Sequence, residues 1–552
     1  MLRLIWKGLK RLTLVLVVTL LGIFGYIMNA YKYYAYKSKT YEIHKKYELD
    51  TAQSGMVTYG PNWEYHNQWG VTEVYVEGSA LERGDAIGAL TQDQIRRQEQ
   101  VFIDQINTLI PSTSYRNLLH ALIRHFNRKL EENVPAEYLK EIYGLSQYAS
   151  SDYNFIGDKY HRILNYHSAH DIGHALQNYM LVGCTSFVAR NEATADSSLL
   201  VGRNFDFYVG DAFARDKIIL IEKPDKGYKF ISITWGGMIG VLSGMNEKGV
   251  TVTLNAAKSD IPTASSTPIS IIAREILQYA SSIDEAYAIA KKHRAFVSES
   301  LLISSAVDHS ASLIEISPND IDIVPMTKST LVSTNFFQGE KLGPNPNNIE
   351  FKTMGSSLYR HQRVEELLRE DQPLTSTKVA EILRDRAGKG GEDIGLGNEK
   401  SINQLIAHHG VIFKPEQQQA WFSTAPYQLG EFIKYDLHHI TAFSKDFKLS
   451  ENSGVSDIAE DPFIHTAAFH NYEIYRKERL KNIDFSSKEK CQVYISLNPN
   501  SYAPYLKIGN YFYEHKDFNR AVEFYHKCLK HVVENKYIIA ELNKRINEYE
   551  KK

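Results

Sequence analysis

Cysteine is nearly missing from this chain: 552 residues hold three, Cys184, Cys491 and Cys528. Three thiols close at most one disulfide and cannot build a Cys-rich zinc module, which excludes a disulfide scaffold and leaves each thiol as a nucleophile or a small core residue. Excess positive charge is missing too, since 63 Lys and Arg face 65 Asp and Glu for a net charge of −2. Without a whole-chain positive field, no nucleic-acid partner is expected. Proline is sparse at 16, no low-complexity tract occurs, and 43% of residues are hydrophobic against 23% charged. That balance excludes disorder over most of the chain, and the length leaves room for about three to four domain-sized units.

Long apolar runs are almost absent as well. The exception is LTLVLVVTLLGIFGYIM at residues 12–28, preceded by Arg3, Lys7, Lys10 and Arg11. Its length is at the lower edge of the ~17 to 25 residues that cross a bilayer. It lacks small residues at a cleavage point and runs into tyrosines at 31, 33, 34, 36 and 41, a composition suited to a membrane interface. The sequence thus predicts a single-pass membrane anchor over residues 1–30, a juxtamembrane linker over 31–68, and the bulk of the chain on the exported, periplasmic or extracellular side.

Residues 69–183 begin with strand text and then carry the apolar spacing of helices, at Ile95, Val101, Phe102, Ile106 and Ile110. From Cys184 the pattern changes to short β-branched runs such as SLLVGRNFDFYV, KIILIEK and VTVTLN, followed by capped helices, more strands, and a closing hairpin. Strands, helices and strands over residues 184–445 make an α+β class. Residues 462–552 read differently: Tyr505, Ile508, Gly509, Phe512, Ala521 and Tyr525 have the spacing of a tetratricopeptide helix pair. A single repeat cannot bury its own face, so this tail is expected to dock on the main domain or on a protein partner.

The text richest in chemistry is GCTSFVARNEATADSSLLVGRNFDF, Gly183 to Phe207. A thiol with an ordinary pKa near ~8.5 needs a base to attack an amide at neutral pH. Cutting Gly183–Cys184 would free an α-amine of pKa ~7.7 to 8 beside its own sulfur. Glycine at 183 suits a scissile bond held at positive φ, although a buried structural cysteine behind a turn glycine explains the same pair. Arg203 and Asp206 are three apart, which on an ideal strand puts them on opposite faces, so a bulge or strand end is needed to bring both toward Cys184.

This stretch, together with GMNEKGVTVTLNA at 244–256, resembles the penicillin acyltransferase-like (peptidase C45) branch of the N-terminal nucleophile hydrolases, relatives of choloylglycine hydrolases and acid ceramidase-like amidases. The resemblance spans roughly residues 73–440. It implies a four-layer αββα core, a helical pro-segment over 69–183, and a precursor that cleaves itself before Cys184. It also implies that Asp206 contacts the new amino group and Arg203 the thiolate, that Asn335 and Asn255 supply oxyanion donors, and that Arg360 orients the site. Taken alone, the asparagines are equally turn formers and Arg360 a helix-surface charge.

One histidine group competes. HSAHDIGH places His167, His170 and His174 at i, i+3 and i+7, on one helical face. No fourth ligand is identifiable, so these read as polar residues of the pro-segment helix and neither a metal nor another cofactor is predicted. His408-His409 and His438-His439 read as strand and loop residues. The chain is therefore expected to be a self-processing cysteine amide hydrolase or acyltransferase acting on a small linear amide or acyl thioester through a thioester acyl-enzyme; the sequence does not give the acyl chain, and the acid ceramidase-like resemblance points toward a fatty-acyl group. The competing expectation is a membrane-tethered tetratricopeptide scaffold with an inactive hydrolase-like domain. The two differ over whether Gly183–Cys184 is cut.

Overall fold

The structure is a computed structural model that describes residues 40–43, 46–51, 55–116, 127–175, 181–259 and 266–550, with Gly22 and Gly25. Two sheets organise it. The larger has eleven strands and runs from Leu49–Thr51 at one edge to Ile321–Pro325 at the other; the smaller has seven, from Thr330–Ser333 to Val455–Ile458. The alternation of side chains along each strand sets the layers. Val188, Val201 and Val411 of the smaller sheet meet Ile219, Ile231, Leu302 and Leu313 of the larger in one apolar core. On the outer face of the larger sheet, Val250, Val252 and Leu254 pack under the helices Ile269–Tyr279 and Ile283–Ala290. Outside the smaller sheet, Phe187, Leu200 and Ile412 pack under Ser357–Glu370 and Ser376–Leu383. Helix, sheet, sheet, helix is the resulting order, an α+β architecture.

The segment before Cys184 is built into this core. Strand Thr72–Gly78 pairs in parallel with Ile218–Pro224, and the stretch read as a juxtamembrane linker contains the strands Leu49–Thr51, Val57–Tyr59 and Asn62–His66 of the same sheet. These strands are three to five residues long, too short to show a period-2 pattern in the sequence. A buried ion network reinforces the junction: Arg83 bonds Glu141 at 2.6 Å and Glu222 at 3.1 Å, and Arg274 bonds Glu222 at 2.7 Å. Because all four groups are out of water, removing one partner strands the rest, at a cost of roughly 3–5 kcal/mol.

The tail after residue 466 is helical and docked. Helices Tyr502–Glu514 and Phe518–Cys528 pack closely because Gly509 lies against the Tyr525 ring, where a Cβ would come within 2.6 Å. Their apolar face is continuous with Leu405 and Leu429 of the main domain. Asn498 exchanges hydrogen bonds with the Leu396 backbone at 2.9 and 3.1 Å, and Asn398 donates to the Val532 carbonyl at 2.8 Å.

The membrane expectation is corrected. Among the described residues no helix is long and apolar enough to cross a membrane, so a single-pass membrane protein with an exported catalytic domain is not supported. The apolar run at 12–28 on which that expectation rested lies, apart from Gly22 and Gly25, outside the described residues.

Candidate active site

Cys184 is buried at the mouth of the strand Thr185–Asn191, which forms a hairpin with Ser197–Phe205. The register sets Ser186 opposite Arg203 and Thr185 opposite Asn204. Arg203 thereby reaches back to Cys184, its Nη2 lying 3.9 Å from Sγ. The parity problem between Arg203 and Asp206 is resolved by a strand end: Ser197–Phe205 stops at Phe205, and Phe207–Tyr208 pairs separately with Leu181–Val182, leaving Asp206 between the two. There its backbone carbonyl accepts from the Gly183 N–H at 3.1 Å.

Arg203 is held from several sides. Its Nη1 donates to the Leu242 carbonyl at 3.1 Å, to His409 Nε2 at 3.3 Å, and to Ser243 Oγ, while Nη2 donates to the Leu254 carbonyl. Ser243 Oγ in turn lies 2.9 Å from His409 Nε2, and His409 Nδ1 lies 2.8 Å from His408 Nδ1. Since Arg203 only donates, this network assigns Nε2 of His409 as an acceptor. Burial pushes both histidines well below their usual range, so they act as neutral groups that orient the guanidinium. Reading them from sequence as plain strand residues missed that role.

Desolvation dominates the charges. Burial pushes the Cys184 thiol up to about 11, with Arg203 partly opposing it, which keeps the thiol protonated at neutral pH. Burial likewise pushes the Asp206 carboxyl up to about 7, opposed by Arg360 and Arg203. Neither oxygen of that carboxyl has a hydrogen-bond partner among the described residues.

The remaining predicted residues divide. Arg360 is buried, against the surface reading, and donates to Asn335 Oδ1 at 2.6 Å and to the Glu399 carbonyl at 2.7 Å. Asn335 donates to the Ala256 carbonyl at 3.0 Å, which uses one of its two amide hydrogens. Asn255 is corrected as an oxyanion donor: its amide nitrogen already donates to the Ser333 carbonyl at 3.0 Å and to Ser333 Oγ at 3.1 Å, and its oxygen accepts from Ser186. Both hydrogens are spent on tying the two sheets together. Gly183 is corrected in its reason, because it is not among the positive-φ glycines. What glycine allows there is a close approach: a Cβ would fall 2.1 Å from Gln404 Nε2 and force that side-chain amide to move.

His167 is a satisfied core histidine, with Nδ1 at 2.9 Å from the Ile163 carbonyl and Nε2 accepting from the Ile239 N–H at 3.0 Å. The side chains of His170 and His174 lie outside the described residues. His438 and His439 are exposed and pair with Asp436.

A cavity of about 150 Å³ adjoins the site, lined by Gln404 and Glu399 of the main domain and by Tyr472, Arg479, Tyr502 and Glu534 of the tail. A larger cleft of about 630 Å³, around Arg384, Arg386, Glu460 and Asp461, contains none of the predicted site residues. No predicted site residue lies beyond Arg360, which by itself makes the tail dispensable. The docking of the tail on the 396–405 segment reverses that expectation. Truncation after about residue 460 exposes the apolar face around Leu405 and Leu429, and is expected to give an insoluble chain, or one with no acyl-enzyme, in a solubility and adduct assay. Full adduct formation by a soluble truncation contradicts it.

Residues 193–423 match the family model for acyl-coenzyme A:6-aminopenicillanic acid acyl-transferase. Over those residues the chain is similar to that acyl-transferase family. The match takes in Arg203, Asp206, Asn255, Asn335 and Arg360 and begins downstream of Cys184. Curated relatives include an uncharacterized protein of Archaeoglobus fulgidus, 26% identical over 40% of this chain and 38% of its own, and protein dcd1B of Dictyostelium discoideum, 26% identical over 46% and 51%. The chain thus spans about half or less of the length of the relatives it matches. Among solved structures, the N-acylethanolamine-hydrolyzing acid amidase ortholog of Caenorhabditis elegans is 17% identical, covering 42% of this chain and 93% of its own at a TM-score of 0.31.

Proposed function

We propose that the chain is a self-processing amide hydrolase or acyltransferase with Cys184 as its nucleophile. The observation that carries this reading is the Asp206 carboxyl, fully buried beside Cys184 and without a hydrogen-bond partner among the described residues. A buried carboxyl left unpaired is costly, and the partner it lacks is a cation. Hydrolysis of Gly183–Cys184 creates one in place, an ammonium on Cys184.

In the first step Sγ attacks the Gly183 carbonyl carbon, the C–N bond to Cys184 breaks as the amine takes the thiol proton, and a thioester joins Gly183 to Sγ. Water cleaves that thioester, leaving a Gly183 carboxylate and a free Cys184 thiol and amine. In turnover the amine accepts the thiol proton, the thiolate attacks a substrate carbonyl, and the leaving group departs with that proton. The acyl thioester then passes to water or to an amine. Arg203 favours the thiolate, and the Asn335 amide offers a neutral donor to the oxyanion.

The acyl group this site suits is apolar. Cys184 shares its cluster with Phe207, Phe213, Trp235 and Met238, and in the uncut chain Phe102 packs edge-on against Phe213. A fatty-acyl chain is better matched to such an apolar cluster than a charged group is. Incubation with a long-chain acyl thioester, followed by peptide mass mapping, tests the reading. An acyl adduct on the peptide beginning at Cys184 supports it, and acylation confined to Cys491 or Cys528 removes it.

A further inference from the structure

We infer that Gln404 is the hydrogen-bond donor that stabilises the oxyanion of self-cleavage, an inference that rests on the self-processing reading above. Its Nε2 donates to the Gly183 carbonyl oxygen at 2.8 Å. That oxygen carries the negative charge when Sγ adds to the carbonyl carbon, so the donor already stands where charge develops. Both partners are buried, which strengthens the bond relative to one in water.

Two features bear on this position of Gln404. Glycine at 183 is what admits it, since any Cβ there would overlap the amide. The next residue, Leu405, sits at φ 55°, a left-handed conformation that is strained for a non-glycine residue and persists only where its surroundings impose it. Those surroundings are visible: the Leu405 N–H donates to Asn403 Oδ1 at 3.0 Å, and its side chain is locked into the tail's apolar core. The tail therefore acts on processing through the placement of this one amide. In chemical terms the amide neither gains nor loses a proton. It donates to the carbonyl oxygen as the C–S bond forms and keeps that bond while the C–N bond breaks.

The test uses full-length chains with Gln404, Gln404→Leu and Gln404→Glu, timing cleavage by pulse–chase between about pH 5 and 9, a range that brackets carboxyl ionisation in a buried site. Gln404→Leu keeps the bulk and loses the donor, and is expected to slow cleavage by about 10²–10³-fold. Gln404→Glu can donate only while protonated, so its rate relative to wild type is expected to fall as pH rises through that carboxyl's pKa. Taking the ratio to wild type removes the ionisation of the thiol, and a merely structural role for residue 404 gives no such slope. Gly183→Ala, which displaces the amide by collision, is expected to slow cleavage to a similar degree. Wild-type rates in Gln404→Leu, or a flat ratio across pH for Gln404→Glu, overturn the role of Gln404 and leave self-processing standing. A wild-type chain that is never cut overturns self-processing itself.

Discussion

Cys184→Ala is expected to run as one chain of 552 residues under denaturing conditions, where the wild type runs as two fragments divided after Gly183. The substitution removes the attacking atom, and no other group near the scissile carbonyl replaces it: Arg203 is a cation, the Asp206 carboxyl is a far weaker nucleophile than a thiol, and Gln404 is a neutral donor. Loss of a nucleophile that acts as part of a unit removes nearly all of the rate rather than a share of it. Cys184→Ser retains a weaker nucleophile and is expected to be cut slowly. Under native conditions both forms should elute alike, since the two halves share the parallel pairing of Thr72–Gly78 with Ile218–Pro224 and the ion network of Arg83, Glu141, Glu222 and Arg274. Fragments that separate without denaturant contradict this account of the junction.

Asp206→Asn is expected to have opposite effects on stability and on function. In the uncut chain the folded-state carboxyl titrates at about 7 against an ordinary 3.8, with burial as the cause. Between those two values the folded state binds the proton that the unfolded state has released, so stability falls as pH rises through this window and stays low above it. Three pKa units correspond to on the order of 4 kcal/mol. Placed in a Cys184→Ala chain, which cannot process, Asp206→Asn removes that penalty. Its Tm should exceed that of the parent above pH 7, and the two should converge toward pH 4. In the self-processing chain the same change removes the anion that receives the new ammonium, so cleavage and acyl transfer should slow. An Asp206→Asn chain that loses stability at pH 8 contradicts the picture of an unpaired carboxyl.

The candidate site was legible in part because its residue types are tied to local sequence. Gly183, Cys184, Arg203 and Asp206 lie within one hairpin, and the need for a strand break between Arg203 and Asp206 followed from the period of a strand alone. The alternation of Val250, Val252 and Leu254 with Thr251, Thr253 and Asn255 likewise marked a strand between two layers. What stayed hidden depends on contacts distant in sequence. Gln404 carries no local signature, and its role arises only when a loop more than two hundred residues downstream folds onto Gly183. The family resemblance implied Asn255 as a donor, but its hydrogens are taken by Ser333, which only the packing of the two sheets reveals. The docking of the tail turns on close approaches at Gly395 and Gly397, where Ser501 and Tyr472 leave no room for a Cβ. The short strands before Gly78 escaped notice because each is completed by its neighbours rather than by its own pattern.

The most direct measurement is the intact mass and N-terminal sequence of the purified wild-type chain under denaturing conditions. Self-processing requires two species, one ending at Gly183 and one whose first residue is Cys184 with a free α-amine. A single uncut chain that nevertheless hydrolyses amides or transfers acyl groups contradicts the mechanism at its centre.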